Sequence, residues 1–199
     1  MRVLIVGDGP HEEAALPILV RQINARIGAT EFDRFKNIPR PVHGRGNRIL
    51  KRALGWFFQA AKRGFDGIVL LIDEDGDHDR RRAIDEAQES IATQFPRACG
   101  IAIRSFDAWF LADQVALSAV LERTIQRQPD PERHAHPKQA CQRLIQESDT
   151  SSLSELYRRL AECMDLDTVC ERCPDGFTPF AERIARLSQA TQSAGQIIT

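Results

Sequence analysis

The stretch Ile68-Val69-Leu70-Leu71-Ile72-Asp73-Glu74-Asp75-Gly76-Asp77 decides how this chain is read. Its five apolar residues read as a strand buried on both faces. The strand ends in a burst of carboxylates. In an open parallel sheet, ligands collect just beyond the carboxyl ends of the strands. Like charges crowded there repel one another unless a cation sits between them. Carboxylate-lined, oxygen-rich sites suit magnesium, manganese or calcium. The run therefore points to a hard divalent cation at the strand tip. The competing reading is a solvated acidic turn behind a core strand.

The opening of the chain repeats the pattern. Met1-Arg-Val-Leu-Ile-Val6 is a short apolar run, followed by Gly7-Asp8-Gly9-Pro10-His11-Glu12-Glu13. This is strand, turn and helix start, with Pro10 at a favoured first helical position and acids in the first turn. Asp8 falls in the turn and Glu12 one helical turn further on. If the two strands are parallel neighbours, Asp8 and Glu12 meet Asp73, Glu74 and Asp75 at one end of the sheet. One magnesium typically uses one or two protein carboxylates, so five leave room for two ions. Helix capping is the plainer reading of Asp8 and Glu12.

Alternation of strand and helix patterns along the chain predicts an α/β fold, a mostly parallel sheet of about four strands flanked by helices. Strands are expected at Val3 to Val6, at the Asp73 run and at Gly100 to Ile103, with Ile38 to His43 as a proline-limited edge strand. Helices are expected from Pro10 towards Ile27, with a bend at Pro17, over Ile49 to Ala60, and over Arg80 to Thr93. Residues 1–128 form the expected core. Residues 129–199, helical over Lys138 to Gln146, Leu153 to Met164 and Phe177 to Leu187, form a helical extension packed on it.

At 199 residues the chain suits one such unit, and 28% charged residues against 42% hydrophobic ones allow an ordinary core. No apolar stretch approaches 18 residues and no signal-peptide pattern is present, so the expectation is a cytoplasmic protein without membrane contact. The formal net charge of −1 does not announce a nucleic-acid binder. The distribution is more informative. Between Arg34 and Arg52 stand Arg34, Lys36, Arg40, Arg45, Arg48, Lys51 and Arg52, with no acid among them. Such a strip serves phosphate or is simply a solvated helix face. The five cysteines include Cys170-Glu-Arg-Cys173, but no second closely spaced pair completes a zinc site, and helix-face thiols are the simpler reading.

Val6-Gly7-Asp8-Gly9-Pro10-His11-Glu12 resembles the first TOPRIM motif of the overcoming-lysogenization-defect (OLD) family nucleases, an acid-Gly-Pro-x-Glu turn. Asp73-Glu74-Asp75 resembles the second, a DxD at a strand end. The stand-alone TOPRIM-like group that the chain is similar to is the uncharacterised domain family numbered 4276. Ser105-Phe-Asp107-Ala-Trp109-Phe-Leu-Ala-Asp113, His136-Pro-Lys138 and Phe177-x-x-Phe180 are supporting marks. The resemblance covers nearly the whole chain. It implies a TOPRIM fold and a metal-dependent nuclease. Carried over by position, Asp8, Asp73 and Asp75 would hold one magnesium or manganese, and Glu12 and Glu74 would help to hold a second. The first acid is usually glutamate, so Asp8 is a departure that would shift or weaken the ion. A basic residue assists in OLD-type enzymes, for which Arg104 and Lys138 are the candidates. Asp107 also reaches towards the site in this reading, or else caps the Trp109 helix.

Two ions about 4 Å apart clamp an in-line displacement at phosphorus, and Arg45, Arg48, Lys51 and Arg52 would hold the flanking backbone of a nucleic acid, DNA in the first instance. The resemblance further implies an AAA- or ABC-type ATPase partner and a role in bacterial defence against phage. No Gly-x-x-x-x-Gly-Lys-Ser/Thr loop is present, so ATP hydrolysis would be the partner's. Two rivals stay open. Asp73-Glu-Asp75-Gly76 resembles the nucleophile motif of haloacid-dehalogenase-like phosphatases, although that motif normally sits on a first strand. Alternatively the chain is a catalytically inactive, metal-binding interaction subunit of an ATPase complex. A dinucleotide-binding reading is weaker, because Glu12 stands where a third glycine belongs.

Overall fold

The computed structural model describes residues 2–24, 30–32, 47–146 and 152–195. Its first half alternates strand and helix: β1 (Val3–Val6), α1 (Pro10–Ile23), β2 (Thr30–Phe32), α2 (Asn47–Lys62), β3 (Gly67–Asp73), α3 (His78–Glu89) and β4 (Arg97–Ala102). The strands form one sheet in the order β2-β1-β3-β4, and every neighbouring pair is parallel. The α/β class and the parallel sheet flanked by helices are thus as the sequence predicts. The edge strand next to β1 is Thr30–Phe32, which the sequence pattern does not single out. The stretch Ile38 to His43 lies outside the described residues. Helix α1 runs through Pro17 as one element.

Pleating sorts the apolar residues of each strand between two cores. Val3 and Ile5 of β1, Val69 and Leu71 of β3, and Ala98 and Ala102 of β4 face α1. Leu4 and Val6, Ile68, Leu70 and Ile72, and Cys99 and Ile101 face α2 and α3. All are buried, which explains why β1 and β3 read as unbroken apolar runs. The pairing Val6↔Leu70 leaves β3 three residues longer than β1, and the ladder Asp73↔Ala102 carries β3 out to its first acid.

Beyond β4 the chain is helical: α4 (Asp107–Ala112), α5 (Gln114–Val120), α6 (Pro137–Gln146), α7 (Leu153–Cys163), α8 (Leu166–Arg172) and α9 (Phe177–Gly195). These helices share the α1-side core with the sheet. Phe177 and Phe180 of α9 lie against Trp109 of α4, ring centroids 5.0 and 5.5 Å apart. Gly100 is required where α9 crosses β4, because a β-carbon there would stand 2.3 Å from Phe180 Cδ2. Helix α8 has no strong sequence period, and its start is set by Asp165, whose carboxylate accepts the Asp167 and Thr168 N–H groups. Asp113 caps α5 with one oxygen and accepts the Asp165 N–H at 2.8 Å with the other, tying core to extension.

The outer edge of β4 is closed by side chains. Gln88 of α3 donates to the Arg97 carbonyl at 3.4 Å and accepts from the Cys99 N–H at 2.8 Å. Arg183 of α9 donates to the Cys99 carbonyl at 2.9 Å while paired to Asp85 at 2.6 Å. Among the described residues no helix is long and apolar enough to cross a membrane.

Candidate active site at the carboxyl end of the sheet

The tips of β1, β3 and β4 open onto one patch. The turn after β1 is shaped by Glu12. A β-carbon on Gly7 would stand 2.6 Å from Glu12 Cβ, and one on Gly9 2.8 Å from Glu12 Oε2. The two glycines flanking Asp8 therefore let the Glu12 side chain fold back across the turn. Gly9, not Asp8, is the N-cap of α1, so the capping reading of Asp8 does not hold. Glu12 is 7% exposed. Burial pushes its carboxyl up to about 7, with Asp8 and Asp107 adding to the effect and its own backbone N–H and Lys138 opposing it.

Asp73 ends β3 with the parity of Val69 and Leu71, so it faces α1 and α4. Its Oδ1 accepts the Phe106 N–H at 2.8 Å. Burial first, and the Glu12 carboxylate next, hold Asp73 well above the usual carboxylate range; Asp75 and Asp107 add to the effect, and the Phe106 N–H opposes it. Among the described residues neither Glu12 nor Asp73 has a cationic partner within ion-pair distance.

Asp107 is buried beside this pair. It does not cap α4, whose N-cap is Phe106 with no side-chain hydrogen bond. Instead the Tyr157 hydroxyl donates to Oδ1, and Ser105 Oγ donates to Oδ2 at 3.2 Å. The His11 ring stacks on Tyr157 with centroids 4.0 Å apart, its Nδ1 3.9 Å from Asp107 Oδ1. Burial lowers the His11 pKa, Asp107 opposing and Lys138 reinforcing. No sequence pattern singles out His11 or Tyr157 as a site residue. One signal was available: Tyr157 is the only tyrosine of the chain, and a buried tyrosine hydroxyl needs a partner.

The neighbouring acids of β3 turn elsewhere. Glu74, of opposite parity to Asp73, is buried with Oε1 2.9 Å from His78 Nδ1, and its Oε2 accepts the Arg104 N–H at 3.5 Å. Asp75 is exposed, and its Oδ2 accepts from Arg80 Nη1 at 2.7 Å. Asp8 is exposed in the turn and close enough to act on both Glu12 and Arg52.

The basic residues take three positions. Arg104 has φ +64, a left-handed backbone uncommon for a side chain this size. Its carbonyl accepts the Asp75 N–H at 3.1 Å, and a β-carbon on Gly76 would lie 3.6 Å from its Nη1. Strained residues of this kind collect at functional sites. Lys138 is exposed in the first turn of α6, where its charge acts on Glu12 and His11. Arg48 and Lys51 are exposed on α2, while Arg52 is half-buried with its guanidinium 5.5 Å from the centre of the Trp56 ring. Arg45 lies outside the described residues.

Among the described residues no three His, Cys, Asp or Glu side chains form a ready-made metal cage. Cys163, Cys170 and Cys173 are free thiols on or between helices. A single magnesium, however, typically takes only one or two carboxylates from its protein. Glu12 and Asp73 offer two, all oxygen and short of positive charge, and this donor set fits a hard divalent cation.

A parallel α/β unit with buried carboxylates beyond its strand ends is therefore the class that fold and site define. The profile of the family described as Domain of unknown function (DUF4276) matches residues 8–185, and the chain belongs to that family. No curated protein and no solved structure matches it.

Proposed function

We propose that this chain is a divalent-metal-dependent nuclease of TOPRIM type that hydrolyses phosphodiester bonds, with DNA as its substrate. The observation that carries the reading is the meeting of Glu12 and Asp73, which are far apart in sequence yet adjacent where two neighbouring parallel strands finish. Glu12 and Asp73 would hold magnesium or manganese. When bound, the ion would polarise a phosphoryl oxygen and lower the pKa of a water molecule. Arg104, just past the end of β4 and near Gly76, offers a planar fork of donors for a phosphate oxygen, and Lys138, whose charge acts on Glu12, offers a point charge. Arg48, Lys51 and Arg52 would grip the flanking backbone without reading sequence.

The same reading makes the protein a cytoplasmic effector of bacterial anti-phage defence, working with an AAA- or ABC-type ATPase, since this sequence carries no phosphate-binding loop of its own. The test is incubation of the purified chain with single- and double-stranded DNA and with RNA, in magnesium, manganese or chelator. Metal-dependent cleavage is expected, and it is expected to vanish in Glu12→Gln and Asp73→Ala. Cleavage that persists in both variants overturns the assignment. Metal binding with no cleavage, alone or with the ATPase, points instead to the inactive interaction subunit.

A further inference from the structure

We infer that this site takes one divalent ion rather than two, because Arg80 already stands as a built-in cation where a second ion would neutralise the acids of the β3 tip. The inference rests on the metal-dependent reading above and assigns a stoichiometry to it.

Arg80 lies in the first turn of α3 and is buried, 8% exposed. Its guanidinium folds back over the end of β3. Nη1 donates to the Asp73 carbonyl at 2.9 Å and to Asp75 Oδ2 at 2.7 Å. Nε, a buried nitrogen with no hydrogen-bond partner, lies 3.9 Å from Asp77 Oδ2. Two carboxylates and a carbonyl thus converge on one guanidinium. These are hard oxygen donors of the kind a magnesium or manganese ion would otherwise recruit.

Arginine does not deprotonate in proteins. Its charge at this spot therefore persists at every working pH and repels a dication approaching Asp75. Glu74, the remaining acid of the run, is engaged by His78 and by the Arg104 N–H. Glu74, of opposite parity to Asp73, lies on the α3 side of the strand, and Asp75 in the turn that follows is already held by Arg80, while Asp73 faces α1 and α4 beside Glu12. The uncompensated pair, Glu12 and Asp73, therefore borders two acids that already have partners, Glu74 and Asp75. One ion satisfies the first, and Arg80 has taken the place of another at the second.

Titration calorimetry of the full chain with manganese, together with the paramagnetic resonance spectrum of the bound ion, tests this. The unaltered chain is expected to bind one manganese per chain with the spectrum of an isolated ion. Asp75→Asn should keep that stoichiometry, and Glu12→Gln should weaken binding at least about tenfold. Arg80→Gln should admit a second ion, with the spectral broadening of two spins about 4 Å apart. Two coupled ions in the unaltered chain overturn the inference while leaving the metal-dependent reading intact. A folded Arg80→Gln that still binds one ion does the same. If Arg80→Gln does not fold, the unaltered chain and Asp75→Asn still decide. Failure of the unaltered chain to bind manganese at all overturns both this inference and the reading beneath it.

Discussion

Asp73 and Glu74 are neighbours in the chain, yet they belong to different electrostatic worlds. Asp73 points to the α1 side, where Glu12 and Asp107 crowd it and no described cation answers. Glu74 points to the α3 side, where His78 meets it, and Asp75 in the turn finds Arg80. A carboxylate with a cationic partner holds structure together, whereas one sheltered from water without a cationic partner stores unfavourable energy that a ligand can relieve. The contrast separates scaffold from site within a run of three acids.

The sharpest way to break the contrast is to compare activity across it. Asp73→Asn and Glu12→Gln should each lower metal-dependent kcat/KM by on the order of 100-fold or more, whereas Asp75→Asn should cost less than about tenfold. Equal losses in a cleavage assay would erase the distinction between the two sides. Next comes pH. The Glu12 carboxyl holds its proton up to about 7 in the folded chain against an ordinary 4.5. The folded form therefore binds more protons than the unfolded form across that window, so stability is greatest below it and falls as pH rises through it. The loss between pH 4.5 and 7 should approach about 3 kcal/mol from this group alone, with Asp73 acting in the same direction. Urea unfolding of the metal-free chain across this range should show the decline, Glu12→Gln should flatten it, and saturating manganese should shrink it.

A smaller effect is expected at the turn. Gly7→Ala would drive a methyl into Glu12 and should cost about 1–3 kcal/mol in unfolding free energy while weakening manganese binding. Gly100→Ala, jammed against Phe180, should destabilise comparably but leave manganese affinity per folded molecule unchanged. Tyr157→Phe removes one donor from Asp107 and should cost about 1–2 kcal/mol by the same measurement. A stability loss from Gly100→Ala accompanied by loss of metal affinity would show that core and site are not separable as argued.

The strand that frames the site was legible because burial on both faces leaves an unbroken apolar run, and Ile68 to Ile72 is one. The strand β2 was not, since Thr30-Glu31-Phe32 is too short and mixed to carry a period. Strand β4 starts at Arg97, earlier than the apolar pattern, because the Arg97 guanidinium bends back to the carbonyls of Gln88 and Thr93 instead of breaking the strand. The acids of the site were visible as a cluster, and period-two alternation already contains the division between Asp73 and Glu74. What no local pattern encodes is the arrival of Tyr157 from a helix 50 residues past Asp107, or of Arg80 over the strand it follows. Both depend on how helices dock after the sheet has formed.

The side-chain seal on β4 bears on what happens when many newly made copies meet. An open strand invites a stranger to continue the ladder, the first step of runaway association. Here the amide of Gln88 imitates the missing neighbour, and Arg183 holds the adjoining carbonyl. Growth of the sheet through β4 would require both to let go together, so crowded copies of the chain stay separate on that flank.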